Sequence, residues 1–166
     1  MKRLILMRHA KSDWSFDLED HARPLNARGQ RAAHALGIWL RAHGYLPDRV
    51  LCSDSARTRE TLSLSGVDAP VNYLSALYNA APATILDLLF DTTKGDTVLI
   101  LAHNPGIGIL METVVATPPD HPKFKHCPTG ATLVADFDIG TWTALQTGSG
   151  RTVDYIVPRD LEQADG

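Results

Sequence analysis

Four apolar residues in a row, Leu4-Ile5-Leu6-Met7, stop abruptly at Arg8-His9. A short uninterrupted apolar run of this kind is the pattern of a strand covered on both faces, as in a parallel sheet flanked by helices. Ligands of open α/β sheets sit just beyond the carboxyl ends of such strands, and Arg8 and His9 fall at that point. The pattern recurs. Arg49-Val50-Leu51-Cys52 runs into Ser53-Asp54-Ser55-Ala56-Arg57-Thr58-Arg59-Glu60-Thr61, and Thr97-Val98-Leu99-Ile100-Leu101-Ala102 runs into His103-Asn104-Pro105-Gly106. Three strand ends therefore carry Arg8 and His9, then Arg57, then His103. Arginine is a fixed-charge fork suited to phosphate oxygens, and histidine serves as a nucleophile or a general base. The combination points to phosphoryl chemistry with His9 as the attacking group.

The segments between these strands read as helices. Asn26 is placed to cap a helix over 27–42, whose Ala32, Ala35, Leu36, Trp39 and Leu40 share one face, with Gly44 just past its end. A second helix begins near Ala56 and puts Arg57 in its first turn, beside free N–H groups that also favour an anion. Val71–Leu74 reads as a short strand and 82–90 as a helix burying Ile85, Leu86, Leu88 and Leu89. Asn104 and Pro105 suit the cap and first position of another helix, carrying Ile107, Leu110, Met111, Val114 and Val115, with its N-terminus aimed at the same anion. Ala131–Phe137 is expected to pair with Trp142–Leu145 in an antiparallel hairpin at the sheet edge, leaving Gly148–Gly166 as a surface tail. The expected architecture is a three-layer α/β/α sandwich, mostly parallel with an antiparallel edge, in a single domain over 1–166.

The composition narrows the function. With 166 residues, 44% of them hydrophobic, the chain can bury a core. A formal net charge of −3 argues against a nucleic-acid partner. No long uncharged apolar stretch suggests a membrane helix, and Met1-Lys2-Arg3 with four apolar residues is too short for a signal peptide. A cytoplasmic monomer is expected, with Cys52 and Cys127 as reduced thiols. No Cys-x-x-Cys or His-Glu-x-x-His spacing occurs, and neither His34 and His43 nor His121 and His126 have partners at ligand spacing, so no metal and no cofactor are expected.

Taken in order, these fragments resemble the histidine phosphatase superfamily, the phosphoglycerate-mutase-like fold, with its Arg-His-Gly, Ser-x-x-x-Arg-Thr-x-x-Thr and Gly-His-Asn signatures. The similarity is greatest to short SixA-type phosphohistidine phosphatases: Leu6-Met7-Arg8-His9-Ala10-Lys11-Ser12-Asp13-Trp14, Arg23-Pro24-Leu25-Asn26-Ala27-Arg28-Gly29, His103-Asn104-Pro105-Gly106, Pro128-Thr129-Gly130-Ala131 and Pro158-Arg159-Asp160-Leu161. Ala10 and Ala102 stand where the superfamily has glycine. The resemblance implies a metal-independent hydrolase acting on protein phosphohistidine through a covalent phospho-His9, with Arg8, Arg57 and His103 holding the phosphoryl group. It also places the Lys11–Pro24 loop beside the phosphate, making Lys11, Ser12, Asp13 and Asn104 candidates for binding substrate.

Longer members keep an acidic proton donor near the position of Tyr78-Asn79, where this chain has none. Two nearby arginines would lower the His9 pKa, whereas a bound dianion would raise it. The implied partner is a phosphohistidine-bearing protein or a small phosphorylated substrate. The alternatives within the same resemblance are a small-molecule phosphomonoesterase or mutase, and a non-catalytic phosphohistidine-binding module.

Overall fold

The computed structural model describes residues 1–164. Strands β1 (Lys2–Arg8), β2 (Arg49–Ser53), β3 (Val71–Leu74), β4 (Thr97–Ala102), β5 (Thr132–Phe137) and β6 (Arg151–Ile156) form one sheet in the order β3-β2-β4-β1-β5-β6. The first four in that order run parallel, β5 is antiparallel to β1, and β6 is antiparallel to β5. Helices α1 (Ala27–Ala42), α2 (Ala56–Ser65), α3 (Pro82–Phe90), α4 (Gly106–Val114) and α5 (Pro158–Ala164) complete the fold.

The side-chain alternation of β1 shows why three layers form. Leu4 and Leu6 join one core with Ile85 and Leu89 of α3 and Ile107, Leu110, Met111 and Val114 of α4. Ile5 and Met7 point to the other face, into a core with Leu36, Trp39 and Leu40 of α1 and Leu62 of α2. Successive side chains of a strand face opposite sides, so an unbroken apolar run needs helices on both. Residues 4–7 are almost wholly buried, and each such side chain contributes about 1.5–3 kcal/mol.

The expected helices at 27–42 and 82–90 form with those bounds, and Asn26 caps α1 by accepting from Gly29 N at 2.8 Å. The carboxyl-terminal third departs from expectation. Trp142–Leu145 is not a strand: Trp142–Ala144 is a single 3-10 turn, with Leu145 N donating to Trp142 O. Trp142 and the residue three on, Leu145, are both buried, which a 3-10 turn allows. The strand that pairs with β5 at the sheet edge is instead β6, inside the segment expected to be a tail, with Leu133 opposite Tyr155. The expected tail also contains α5, and its last two residues, 165–166, lie outside the described residues. Asn104 was expected at the cap of α4, but that helix starts at Gly106, with Pro105 before it.

Candidate active site

Strands β2, β4 and β1 are neighbours in the sheet, so their carboxyl ends converge. Arg8 lies opposite Ala102, and the ladder continues with His9 N donating to Ala102 O at 3.2 Å. This register sets His9 beside His103, with ring centroids 5.3 Å apart. Arg8, His9, Arg57 and His103 line one cleft of about 300 Å³ together with Lys11, Ser12, Trp14, Arg23, Asn79, Asn104 and Thr129.

The His9 ring is held in one tautomer. Its Nδ1 lies 2.7 Å from Ala10 O. A carbonyl only accepts, so Nδ1 carries the proton and Nε2 keeps its lone pair. Burial, above all, drives the His9 pKa down to about 3, with His103, Arg57 and Arg8 adding to the effect and the Ala10 hydrogen bond opposing it. The His103 pKa falls to about 4, again chiefly through burial and then Arg57. Both rings are neutral near pH 7.

The Ser53–Thr61 segment supports these rings from below. Ser53 Oγ meets His103 Nε2 at 2.8 Å. Thr58 Oγ1 donates to Ser53 O at 2.7 Å, and Ser55 Oγ, accepting from Thr58 N, caps α2. Thr61 Oγ1 accepts from Ala10 N at 3.1 Å and donates to Arg57 O at 2.7 Å, joining the end of β1 to the helix that carries Arg57. The serine and threonines of this motif therefore hold other groups in place.

Among the described residues, three buried polar side-chain atoms take no hydrogen-bond partner: Arg8 Nε, Arg57 Nε and His103 Nδ1. All three belong to the cleft. A buried polar atom left unmatched costs about 1–3 kcal/mol, and the two arginine N–H groups among these suit a ligand rich in acceptor oxygens. Strained backbone is concentrated here too. Cys127, at φ 44°, turns its carbonyl to accept from Arg8 Nη1 and Asn104 Nδ2, each at 3.0 Å, and Asn79, at φ 52°, lines the cleft. Non-glycine residues held in the left-handed region gather at functional sites. The two cysteines are unpaired and buried.

Of the candidates in the loop after His9, Lys11 and Ser12 reach the cleft, and Ser12 Oγ accepts from Arg23 Nη1 at 2.7 Å. Asp13 does not line it; its carboxylate accepts instead from Ser15 N and Ser15 Oγ. Asn104 lines the cleft, and its Oδ1 accepts from Gly108 N at 3.1 Å. Ile107 N donates to His103 O, so these two N–H groups of α4 are satisfied within the protein and are not directed at an anion.

Sequence reasoning missed the residue that ties the cations together. Asp20 accepts from Arg57 Nη2 at 3.0 Å, from Arg23 Nε and Nη2 at 3.1 and 2.9 Å, and from the Tyr78 hydroxyl. The Tyr78 hydrogen bond foremost, then Arg23 and Arg57, hold its carboxyl well below the usual carboxylate range. Asp20 is one of several carboxylates in an acidic loop, and nothing local marks it out. Arg23 also stacks on exposed Trp14, 3.4 Å from the ring centroid. Its place in Arg23-Pro24-Leu25-Asn26 was the available signal.

Two glycines permit the close approaches that shape the rim. A Cβ on Gly29 would lie 2.0 Å from Lys11 O, and one on Gly106 would lie 1.9 Å from Ala80 O. The first turn of α1 thus presses on the loop after His9, and α4 presses on the turn that presents Asn79.

The histidine phosphatase superfamily (branch 1) matches residues 4–80. An uncharacterised protein of Mycobacterium tuberculosis (strain H37Rv) is 36% identical over 161 residues, spanning 92% of this chain and all of that one. The structure of a proposed phosphohistidine phosphatase SixA from Nakamurella multipartitia superposes with a TM-score of 0.84 at 32% identity, over 95% of this chain and 96% of that one. A second proposed SixA, from Agrobacterium tumefaciens, gives 0.77 at 26% identity, over 95% and 98%. This chain belongs to the histidine phosphatase superfamily. Within it, the chain is SixA-like. No helix among the described residues is long and apolar enough to cross a membrane.

Proposed function

We propose that the protein is a phosphohistidine phosphatase that removes the phosphoryl group from a histidine side chain of another protein. The observation that carries this reading is the meeting of a neutral, singly oriented His9 with three buried nitrogens that have no hydrogen-bond partner, Arg8 Nε, Arg57 Nε and His103 Nδ1, in residues lining one cleft. The His9 Nε2 lone pair attacks phosphorus, the bond from phosphorus to the substrate imidazole breaks, and its electron pair stays on that nitrogen; the imidazole, protonated beforehand on its other ring nitrogen, leaves neutral. Water then attacks phospho-His9, releasing inorganic phosphate and restoring the neutral ring.

Phosphoryl transfer asks mainly for positioning and charge stabilisation, which Arg8 and Arg57 supply. His103 donates from Nδ1 if the Ser53 hydroxyl gives its hydrogen to Nε2, a role that a serine can take. The nearest carboxylate to these groups, Asp20, is held ionised by Tyr78 and two arginines, so it is an acceptor and not a proton source. An alkyl phosphate expels an alkoxide and needs an acid in the transition state, whereas a phosphorylated imidazole can be protonated beforehand. No carboxylate lines the cleft, which favours the second substrate.

A substrate panel tests the assignment. A phosphohistidine protein and free phosphohistidine should be hydrolysed with far higher kcat/KM than 3-phosphoglycerate or sugar phosphates, equally with and without EDTA. Comparable turnover of a small ester would replace this reading with that of a phosphomonoesterase. Loss of activity in EDTA, restored by a divalent cation, would overturn metal independence.

A further inference from the structure

A second and larger hollow, of about 530 Å³, opens between the start of α1, the segment 121–129 and α5. Lys11 and Thr129 line both it and the phosphoryl cleft, so the two hollows share a wall. Its charge is opposite to that of the chain. Lys11, Arg28, Lys123 and Arg159 line it against Asp160 and Glu162, in a protein of formal net charge −3. Both carboxylates are engaged. Asp160 Oδ2 accepts from Val157 N at 3.1 Å and faces His121 Nε2 at 2.9 Å, and Glu162 Oε1 lies 3.8 Å from Arg28 Nε. The remaining cations, Lys11, Lys123 and Arg159, are exposed and form no ion pair among the described residues.

We propose that this groove docks an acidic stretch of the polypeptide that carries the phosphohistidine, and so selects acidic protein substrates. The proposal rests on the phosphohistidine reading of the adjoining cleft. Unpaired cations at an accessible rim attract and orient an oppositely charged partner, chiefly through the association rate, and lose that effect in salt. A polypeptide fits better than a nucleic acid. The groove is interrupted by carboxylates and walled in part by Pro122 and Val157. The loop bordering the cleft also exposes Trp14, Phe16 and Leu18, apolar surface that suits contact with a protein.

The test uses two synthetic peptides with a single central histidine, N-phosphorylated chemically with phosphoramidate. One is flanked by glutamates and the other by lysines. At low salt the wild-type protein should show a roughly 10-fold lower KM for the glutamate-flanked peptide, and the difference should shrink at high salt. Lys123→Glu with Arg159→Glu should abolish that preference while leaving turnover of free phosphohistidine at the wild-type level. Equal KM values, a preference that survives the charge reversal, or a parallel loss of free phosphohistidine turnover would each overturn the docking role.

If the wild type hydrolyses neither peptide nor free phosphohistidine, it is the reading of the cleft that fails. Binding of the unphosphorylated glutamate-flanked peptide then decides the groove. An affinity that the charge reversal weakens sustains the proposal, and an unchanged or undetectable affinity overturns it. Tighter binding of a single-stranded oligonucleotide than of that peptide also overturns it.

Discussion

At the scale of single residues, the site turns on which nitrogen of His9 holds the proton. The carbonyl of Ala10 accepts a hydrogen bond from the protonated Nδ1, so Nε2 is left to react. Brief exposure to a phosphohistidine substrate should therefore leave an acid-labile, alkali-stable phosphoenzyme. His9→Ala should abolish both that label and turnover. Label persisting in the variant would move the nucleophile elsewhere. The placement of Arg8, His9, Arg57 and His103 was legible in the sequence because each stands at a strand end or within a few residues of it, where local pattern predicts position. The Asp20 link was not legible. It joins residues 37 and 58 positions away, and only the folded chain brings them together.

Elements pack here with little tolerance, which separates stability from catalysis. A Cβ on Gly37 of α1 would lie 1.7 Å from Ser65 O at the end of α2, away from the cleft. A Cβ on Gly29 would meet the Lys11 carbonyl, which accepts from Asn26 N at 3.0 Å and lies in the loop that lines the cleft. Gly37→Ala should cost about 1–3 kcal/mol of stability through overpacking, with kcat of the folded fraction near wild type. Gly29→Ala should lower both stability and kcat/KM. Urea unfolding combined with kinetics below the transition separates the two cases. Wild-type kcat/KM in folded Gly29→Ala would show that the loop does not depend on this contact. The element misread from sequence, β6, carries Val153 and Tyr155 in alternation, but its edge position leaves several residues half-exposed and blunts the contrast.

For the molecule as a whole, the two buried histidines should make stability fall as the solution is acidified. Their folded pKa values, about 3 for His9 and about 4 for His103, lie below the ordinary value of about 6.5. Between these limits the unfolded chain binds more protons than the native one. Their contribution is therefore fully present above pH ~6.5 and is lost as pH falls toward 4 and then 3, at most about 1.4 kcal/mol per pH unit for each ring. The folded-state pKa of Asp20 is also depressed, so its contribution is present above its unfolded value and falls away at still lower pH. Urea midpoints between pH 7 and pH 4 should fall accordingly, and His9→Gln with His103→Gln should flatten that slope. An unchanged slope in the double variant would show that other groups govern acid unfolding.

The sequence by itself determined the layers and the strand ends at which the charged and histidine side chains emerge. Leu4-Ile5-Leu6-Met7 and Val98-Leu99-Ile100-Leu101 require cover on both faces, and the charged residues that end such runs must emerge at the strand ends. These are consequences of short-range pattern, because strand periodicity and helix caps act over a few residues. Only the tertiary structure decided that β2, β4 and β1 lie side by side, so that Arg57, His103 and His9 share one cleft. It alone paired β5 with β6 across thirteen intervening residues, locked the His9 tautomer against a backbone carbonyl, placed Asp20 between Arg23, Arg57 and Tyr78, and set a basic groove against the His9 cleft. Each of these depends on which distant segments bury their apolar faces together, and the free energy of that burial belongs to the folded whole and not to any local stretch.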